Sequence, residues 1–210
     1  MPEHDWNSNY ASNQLPWDTG EPDPQLVEAV QQGLLPRGRA LEIGCGTGTD
    51  AIWLERQGYD VVALDLAPLA IERARAKAKA ASATRCELMV RDFLEDEPLT
   101  GSFQLVFDRG CFHVFDTKEQ QARFASRVAS VLGPDGVWLS LIGSTEGPAR
   151  EMGPPRRSAL DIVSAVEPHL ELVTLRAFQF APIPGEAAPP SAWLSMWRRR
   201  ATPAQPSTRW

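Results

Sequence analysis

Apolar residues recur along this chain in two rhythms, one suited to helices and one to strands. From Gln25 onward Leu26, Val27, Val30 and Leu34 share a face at helical spacing, and Gly33 and Pro36 end that run. Residues 39–43 read as a short buried strand, 49–57 as a helix, 60–64 as a strand and 68–81 as an Ala-rich helix. Two strand–helix–strand units in succession require a parallel sheet with helices on its faces, because a parallel crossover needs a dozen or more residues. Residues 87–90, 103–107 and 137–142 are further strands, and 118–132 carries Ala122, Phe124, Val128 and Val131 on a buried helix face. Gly133-Pro134-Asp135-Gly136 reads as a turn between that helix and the strand after it. A Gly- and Pro-containing loop over 144–157 leads to a helix at 158–166, and the runs 170–180 and 192–198 pair antiparallel, since no helix-sized segment separates them. The pattern predicts an α/β fold with a doubly wound, mostly parallel seven-stranded sheet and an antiparallel C-terminal strand pair.

No such rhythm runs through residues 1–24. Rich in Trp, Asn, Asp and Pro, they read as irregular chain laid over the domain, with tryptophans that need something to cover. Residues 25–200 then form the domain, and 201–210 read as a disordered tail. A length of 210 residues suits one domain, and 43% hydrophobic with 23% charged residues is ordinary globular composition.

The formal net charge of −6 argues against general binding to nucleic acid, whose affinity for proteins comes from clustered Lys and Arg. The one basic run, Arg198, Arg199 and Arg200, reads as a solvated edge. Cys45, Cys86 and Cys111 lack the spacing of a disulfide framework or a zinc site, and Asp108 and Asp135 do not make a carboxylate cluster for magnesium, so no metal is expected. No apolar stretch approaches the length of a signal peptide or a membrane span. A cytoplasmic protein without membrane contact is expected, with a monomer as the default.

The chemistry concentrates at strand ends. Glu42-Ile43-Gly44-Cys45-Gly46-Thr47-Gly48 follows a predicted strand and precedes a helix, where glycines let a backbone approach a ligand and present N–H groups at a helix N-terminus. Gly46, Gly48 and Ala51 also satisfy a dinucleotide spacing, so the loop alone leaves the cofactor open. Asp65 closes the second strand about twenty residues on, where a carboxylate accepts ribose hydroxyls; capping of the helix at Pro68 is its other reading. Arg91-Asp92-Phe93 and Asp108-Arg109-Gly110 follow the third and fourth strands on the same carboxyl edge.

These motifs, together with Leu15-Pro16-Trp17-Asp18-Thr19-Gly20, Val62-Ala63-Leu64-Asp65 and the loop from Gly147 to Pro155, resemble class I S-adenosylmethionine-dependent methyltransferases. Within them the likeness is to the thiopurine S-methyltransferase and thiol/halide methyltransferase group, over nearly the whole chain. The chain departs from both subgroups: its glycine loop is fuller than that of animal thiopurine enzymes, and the plant-type enzymes lack the Asp-Arg-Gly triplet. The resemblance implies S-adenosyl-L-methionine as donor, S-adenosyl-L-homocysteine as product and a small-molecule methyl acceptor, a thiol or other soft nucleophile before O- or N-acceptors. It implies a cofactor site of Trp17, Glu42, Gly44, Cys45, Gly46, Gly48, Asp65, Leu66, Asp92, Phe93, Asp108 and Arg109, with Asp92 and Phe93 at the adenine.

Arg109 and His113 are the candidate catalytic residues, either one a cation that favours a thiolate. His113 reads as a base or positioning group, or else as a buried structural histidine; Cys111 reads as packing. Trp6, Tyr10, Trp17 and Phe112, with the 144–157 loop, are the candidate acceptor pocket. A nicotinamide-dependent oxidoreductase and a non-catalytic adenosylmethionine-binding module are the rival readings.

Overall fold

A computed structural model describes residues 4–148, 153–182 and 188–200. Seven strands form one sheet: β1 Arg39–Ile43, β2 Asp60–Asp65, β3 Cys86–Val90, β4 Phe103–Arg109, β5 Leu132–Gly143, β6 Leu170–Gln179 and β7 Ser191–Arg199. Their order is β3-β2-β1-β4-β5-β7-β6. The first five pair in parallel, and β7 lies antiparallel between β5 and β6. The expected architecture is the one observed, with β7 inserted in the sheet rather than added at its edge.

Alternation along the strands divides the core. Ala40, Ala63, Leu105 and Phe107 face α2 (Pro24–Gln31), α3 (Thr49–Arg56) and α4 (Pro68–Ala80), whose buried residues include Leu26, Leu54 and Ala74. Leu41, Ile43, Val106 and Trp138 face α5 (Lys118–Val131) and α6 (Ala159–Val166). Successive strand residues point to opposite faces, so buried parallel strands need apolar residues at nearly every position. The helices start where local chemistry allows: Asp23 caps α2 ahead of Pro24, Thr117 caps α5, and Ser158 with Asp161 makes a reciprocal capping box on α6.

Two expectations are corrected. The covering segment holds a helix, α1, over Trp6–Ala11, whose N-terminus is capped by the Asp5 carboxylate. It is short and polar and buries only Tyr10, so no periodicity announced it; contacts with α4 stabilise it. The Gly133–Gly136 tetrapeptide does not separate helix from strand. β5 begins at Leu132 opposite Phe103, and pairing resumes with Val137 opposite Leu105, so the tetrapeptide bulges within the strand. A Cβ on Gly136 would stand 2.7 Å from the Phe103 carbonyl oxygen, which explains why a glycine carries the bulge. The tail at 201–210 lies outside the described residues.

Phe124 sits at the centre of the second core, fully buried, with ring centroids 5.2 Å from Phe93, 5.9 Å from Phe112 and 5.8 Å from Trp138. Phe124→Ala is expected to lower unfolding stability by about 3–5 kcal/mol in denaturant titrations, because the cavity cannot collapse among ring neighbours.

Candidate active site

The carboxyl ends of β1, β2 and β4 meet beneath the covering segment. After Ile43 the chain turns through Gly44 and Gly46, with φ of 71° and 54°, into α3. A Cβ on Gly44 would lie 3.2 Å from that of Cys111, and one on Gly46 would lie 3.1 Å from the Tyr10 hydroxyl. The loop therefore runs close between the β4 end and α1, and a side chain at Gly44 or Gly46 would force its neighbour to shift as well as straining the left-handed backbone. Gly48 differs in kind: a Cβ there would meet Ala74 at 3.0 Å, so this glycine serves the packing of α3 on α4. The Cys45 N–H donates to the Leu64 carbonyl oxygen at 2.8 Å, and its buried thiol is pushed well up in pKa by desolvation.

Asp65 ties the loop to β2. Its Oδ2 accepts from the Gly46 N–H at 2.8 Å and its Oδ1 from the Ala67 N–H at 2.9 Å. Burial raises its pKa, and these two donors pull the other way. The Ala67 bond is a local turn ahead of α4, whose N-cap is Ala67 itself without a side-chain cap, so the expected capping by Asp65 is not seen; its other oxygen faces the glycine loop. Leu66 and Val90, 44% and 46% exposed, stand beside it at the ends of β2 and β3, and Asp65 and Val90 are partners in the sheet. Leu66 also lines a cavity of about 250 Å³ with His4, Asp5, Trp6, Asn7 and Ala67. Val90 escaped sequence reading because an apolar residue closing a strand looks like core.

Arg109 leaves the end of β4 toward the covering segment. Its Nη2 donates to the Trp17 carbonyl oxygen at 3.0 Å, Nη1 lies 3.8 Å from an Asp23 oxygen, and Nε lies 3.7 Å from an Asp50 oxygen. The two carboxylates balance its charge at separations too long for hydrogen bonds. Glu42, 3% exposed, lies on the same side with Oε2 unpartnered, and burial followed by the Asp50 charge pushes its pKa well above the usual range. Trp17 is 37% exposed, with its ring centroid 6.0 Å from that of Trp6. Thr47 donates to Asp18 at 2.8 Å and accepts from Lys77 at 2.6 Å, and Asn7 accepts from the Leu69 N–H at 3.0 Å. Through these contacts the covering segment is fastened to the glycine loop and to α4.

Other candidates turn inward. Asp108 is fully buried, and its oxygens accept from the N–H groups of Cys111 and Phe112 and from Trp138 Nε1 at 3.2, 2.9 and 2.9 Å. It shapes the turn that projects Arg109 rather than facing a ligand, and burial raises its pKa to about 6. Asp92 Oδ1 accepts from the N–H groups of Leu94 and Glu95, a local turn bond, and the Phe93 ring packs edge-on against Phe124. An adenine contact by the Phe93 ring is therefore replaced by a core contact. Phe112 is fully buried among Phe124 and Trp138, which removes it from the expected acceptor pocket. Tyr10 is buried against Ala67 and Ala70. Of the 144–157 loop, residues 149–152 lie outside the described residues; Arg156 Nε donates to the Ser144 carbonyl oxygen at 2.7 Å across its base.

His113 cannot be the cation. It is buried, its Nδ1 accepts from the Gly143 N–H at 2.8 Å, and burial with the nearby Arg157 charge lowers its pKa to about 3. The ring is thus neutral with its proton on Nε2, and it pins the 3-10 turn Phe112–Val114 to the end of β5. Arg109 is left as the cation of the β4 end. Among the described residues no group of three or more His, Cys, Asp or Glu could hold a metal ion.

A doubly wound sheet of this order, with a glycine loop after β1 and a carboxylate closing β2, is the Rossmann-like fold of the class I methyltransferases. The chain belongs to the thiopurine S-methyltransferase family, whose description it matches over residues 1–166. It is 33% identical over 151 residues to a probable thiol methyltransferase 2 of Arabidopsis thaliana, covering 71% of this chain and 65% of that one. It is 33% identical over 127 residues to a 2-heptyl-1-hydroxyquinolin-4(1H)-one methyltransferase of Mycobacteroides abscessus, covering 60% and 55%. The chain thus spans under two thirds of the length of these two relatives. A solved structure described by the conversion of a disulfide bond into a thioacetal group during echinomycin biosynthesis superposes with a TM-score of 0.76 at 29% identity, over 88% of this chain and 84% of that one.

The histidine geometry generates a pH prediction. His113 titrates near 3 when folded and near 6.5 when unfolded, so between these values the unfolded chain binds the extra proton. The stability this group contributes is complete above pH 6.5 and falls as pH drops. His113→Gln, whose amide oxygen can still accept from the Gly143 N–H, should remove that loss. The wild-type-minus-variant difference in unfolding free energy should therefore shift by about 2 kcal/mol against the wild type between pH 6.5 and 5, measured by denaturant titration at each pH.

Proposed function

We propose that this protein is an S-adenosylmethionine-dependent methyltransferase that methylates a small molecule, a thiol or another soft nucleophile. One observation carries the reading: Asp65 and the side-chain-free loop at Gly44 and Gly46 meet at one strand edge, beside the exposed apolar Leu66 and Val90. That combination suits a ribose flanked by a flat apolar base. The family supports it, as does the thiol methyltransferase named among the relatives.

In this reading Asp65 and the glycine loop hold the donor, Leu66 and Val90 border the base, and Trp17 with residues 1–24 covers the site. Residues 25–200 form the catalytic domain. The donor supplies a methyl already activated on a sulfonium sulfur, so the chain's work is to orient the acceptor behind it and exclude water. The acceptor's lone pair forms the new bond to the methyl carbon, the carbon–sulfur bond breaks, and the acceptor's proton passes to solvent. Arg109 lies within reach of the strand edge as the cation that favours a thiolate. No base is required, which agrees with a neutral His113.

The same reading takes the protein as cytoplasmic and monomeric, without nucleic-acid or membrane partners. Arg198 and Arg200 bear on the nucleic-acid part alone: each pairs with a carboxylate, Glu171 and Glu167, instead of presenting free charge. Among the described residues no helix is long and apolar enough to cross a membrane.

Two measurements test the proposal. Incubation with methyl-labelled S-adenosylmethionine and a panel of thiols, thiopurines, hydroxyquinolones, phenols, amines and halides should label a thiol first, read by mass spectrometry. Asp65→Ala should weaken S-adenosylhomocysteine binding at least about tenfold, the worth of one lost charge-assisted hydrogen bond. No affinity of the wild-type protein for donor or product would overturn the reading, and stabilisation by NADH alone would replace it with an oxidoreductase.

A further inference from the structure

Asp50 stands in the first turn of α3, 4% exposed, and its two oxygens serve different parts of the molecule. Oδ1 accepts from the Asp23 N–H at 2.7 Å, where the covering segment enters α2. Oδ2 lies 3.7 Å from Arg109 Nε at the end of β4. Arg109 in turn holds the Trp17 carbonyl oxygen. A single carboxylate thus anchors both ends of the connection between the sheet edge and the segment above it.

We propose that Asp50 is the positioning residue of this site, and that its ionised form fixes Arg109 and the covering segment in the arrangement that binds the donor. This rests on the methyltransferase reading and adds a proton-linked step to it.

The surroundings of Asp50 support a change of state under ordinary conditions. Asp23 faces it from the cap of α2, Asp18 from the covering segment, Arg109 from β4 and Glu42 from β1. Three acids and one guanidinium around a buried carboxylate place like charge against a single compensating cation. Glu42 adds an independent sign of the imbalance, because its buried Oε2 has no partner. Burial raises the Asp50 pKa to about 6, while Arg109 and the Asp23 N–H draw it down. Protonation removes the charge opposite Arg109 Nε, which makes no hydrogen bond among the described residues. The Arg109 contact with Trp17 then loosens, and the covering segment loses its fastening to the end of β4 while its contacts with the glycine loop and α4 remain.

The sign follows from the raised value. Above pH 6 Asp50 is ionised and the arrangement is set; below it, binding must first expel a proton. Affinity for S-adenosylhomocysteine, titrated into the full chain by calorimetry from pH 5 to 8, should be level above about 6 and fall by up to about tenfold per unit below it. Asp50→Asn keeps an acceptor for the Asp23 N–H but carries no charge. It should bind about tenfold more weakly at pH 8 and show no acidic limb, whereas Asp23→Asn should keep the limb. A packing role alone would lower affinity equally at every pH.

A limb that persists in Asp50→Asn, or a level profile in the wild type, overturns the proposal. Should Asp50→Asn fail to fold, a ¹³C NMR titration of the wild-type Asp50 carboxyl decides: its midpoint should move down when S-adenosylhomocysteine is added, and an unmoved midpoint overturns the proposal. A wild-type protein that binds no S-adenosylhomocysteine at any pH overturns the methyltransferase reading itself, and this inference with it.

Discussion

Arg109 reaches from the end of β4 into a space bounded by Asp23, Asp50 and Glu42, each more than nine-tenths hidden from water. Burying an ion costs several kcal/mol unless a partner of opposite charge offsets it, so these groups cannot be placed independently. Asp23 caps α2, Asp50 lies in the first turn of α3, Glu42 is the penultimate residue of β1 and Arg109 closes β4. The pairing of Arg109 with Asp23 and Asp50 links α2, α3 and β4, three elements distant in sequence, with Glu42 of β1 buried beside them. Asp23 links local and global structure most directly: one oxygen caps the Gln25 N–H, and the other faces the guanidinium. The start of a helix and the geometry of the site are therefore one decision.

A second buried carboxylate makes that geometry possible. Asp108 lies on the other face of the sheet, where its acceptors satisfy two backbone donors and the Trp138 ring. With those donors gathered inward, the chain after Arg109 must coil tightly, and His113 completes the fastening by accepting from Gly143. Arg109 is aimed outward by a turn whose remaining polar groups are satisfied within the protein. Pre-organisation of this sort is more precise than a side chain on a free loop, because the supporting partners are packed and few rotamers remain.

Much of this was legible in the residues. Strands and helices of the body follow from period-two and helical spacing, and the glycine loop and Asp65 stand out because each interrupts an apolar run at a strand end. The fate of Asp108 was also written in the alternation, since it shares parity with Val106 and must face the α5 side of the sheet. A motif-centred reading overlooks this by treating Asp-Arg-Gly as one exposed unit. Glu42 shares parity with Ala40 in the same way and so faces α3. What could not be read was tertiary: α1 is a polar six-residue helix fastened through Asn7 to the Leu69 N–H and through Tyr10 to Arg73, and nothing local predicts those partners. The Phe93 ring likewise follows the unfilled space beside Phe124 rather than its neighbour Asp92.

The electrostatics also constrain what chemistry the β4 end can perform. A base there would need a pKa near neutrality and an open face toward the acceptor. His113 has neither, because burial holds it neutral and its Nδ1 is engaged with Gly143. Cys111 is likewise pushed toward its protonated form by burial and by the Asp108 charge, which disfavours a thiolate nucleophile. A site whose titratable groups are bound up in structure can still move a methyl from a sulfonium to a soft acceptor, because that displacement asks for alignment and dryness before it asks for proton transfer. Under the proposed methyltransferase reading, this balance of buried charge around Arg109 suits acceptors that ionise on their own near neutral pH better than those that need a strong base.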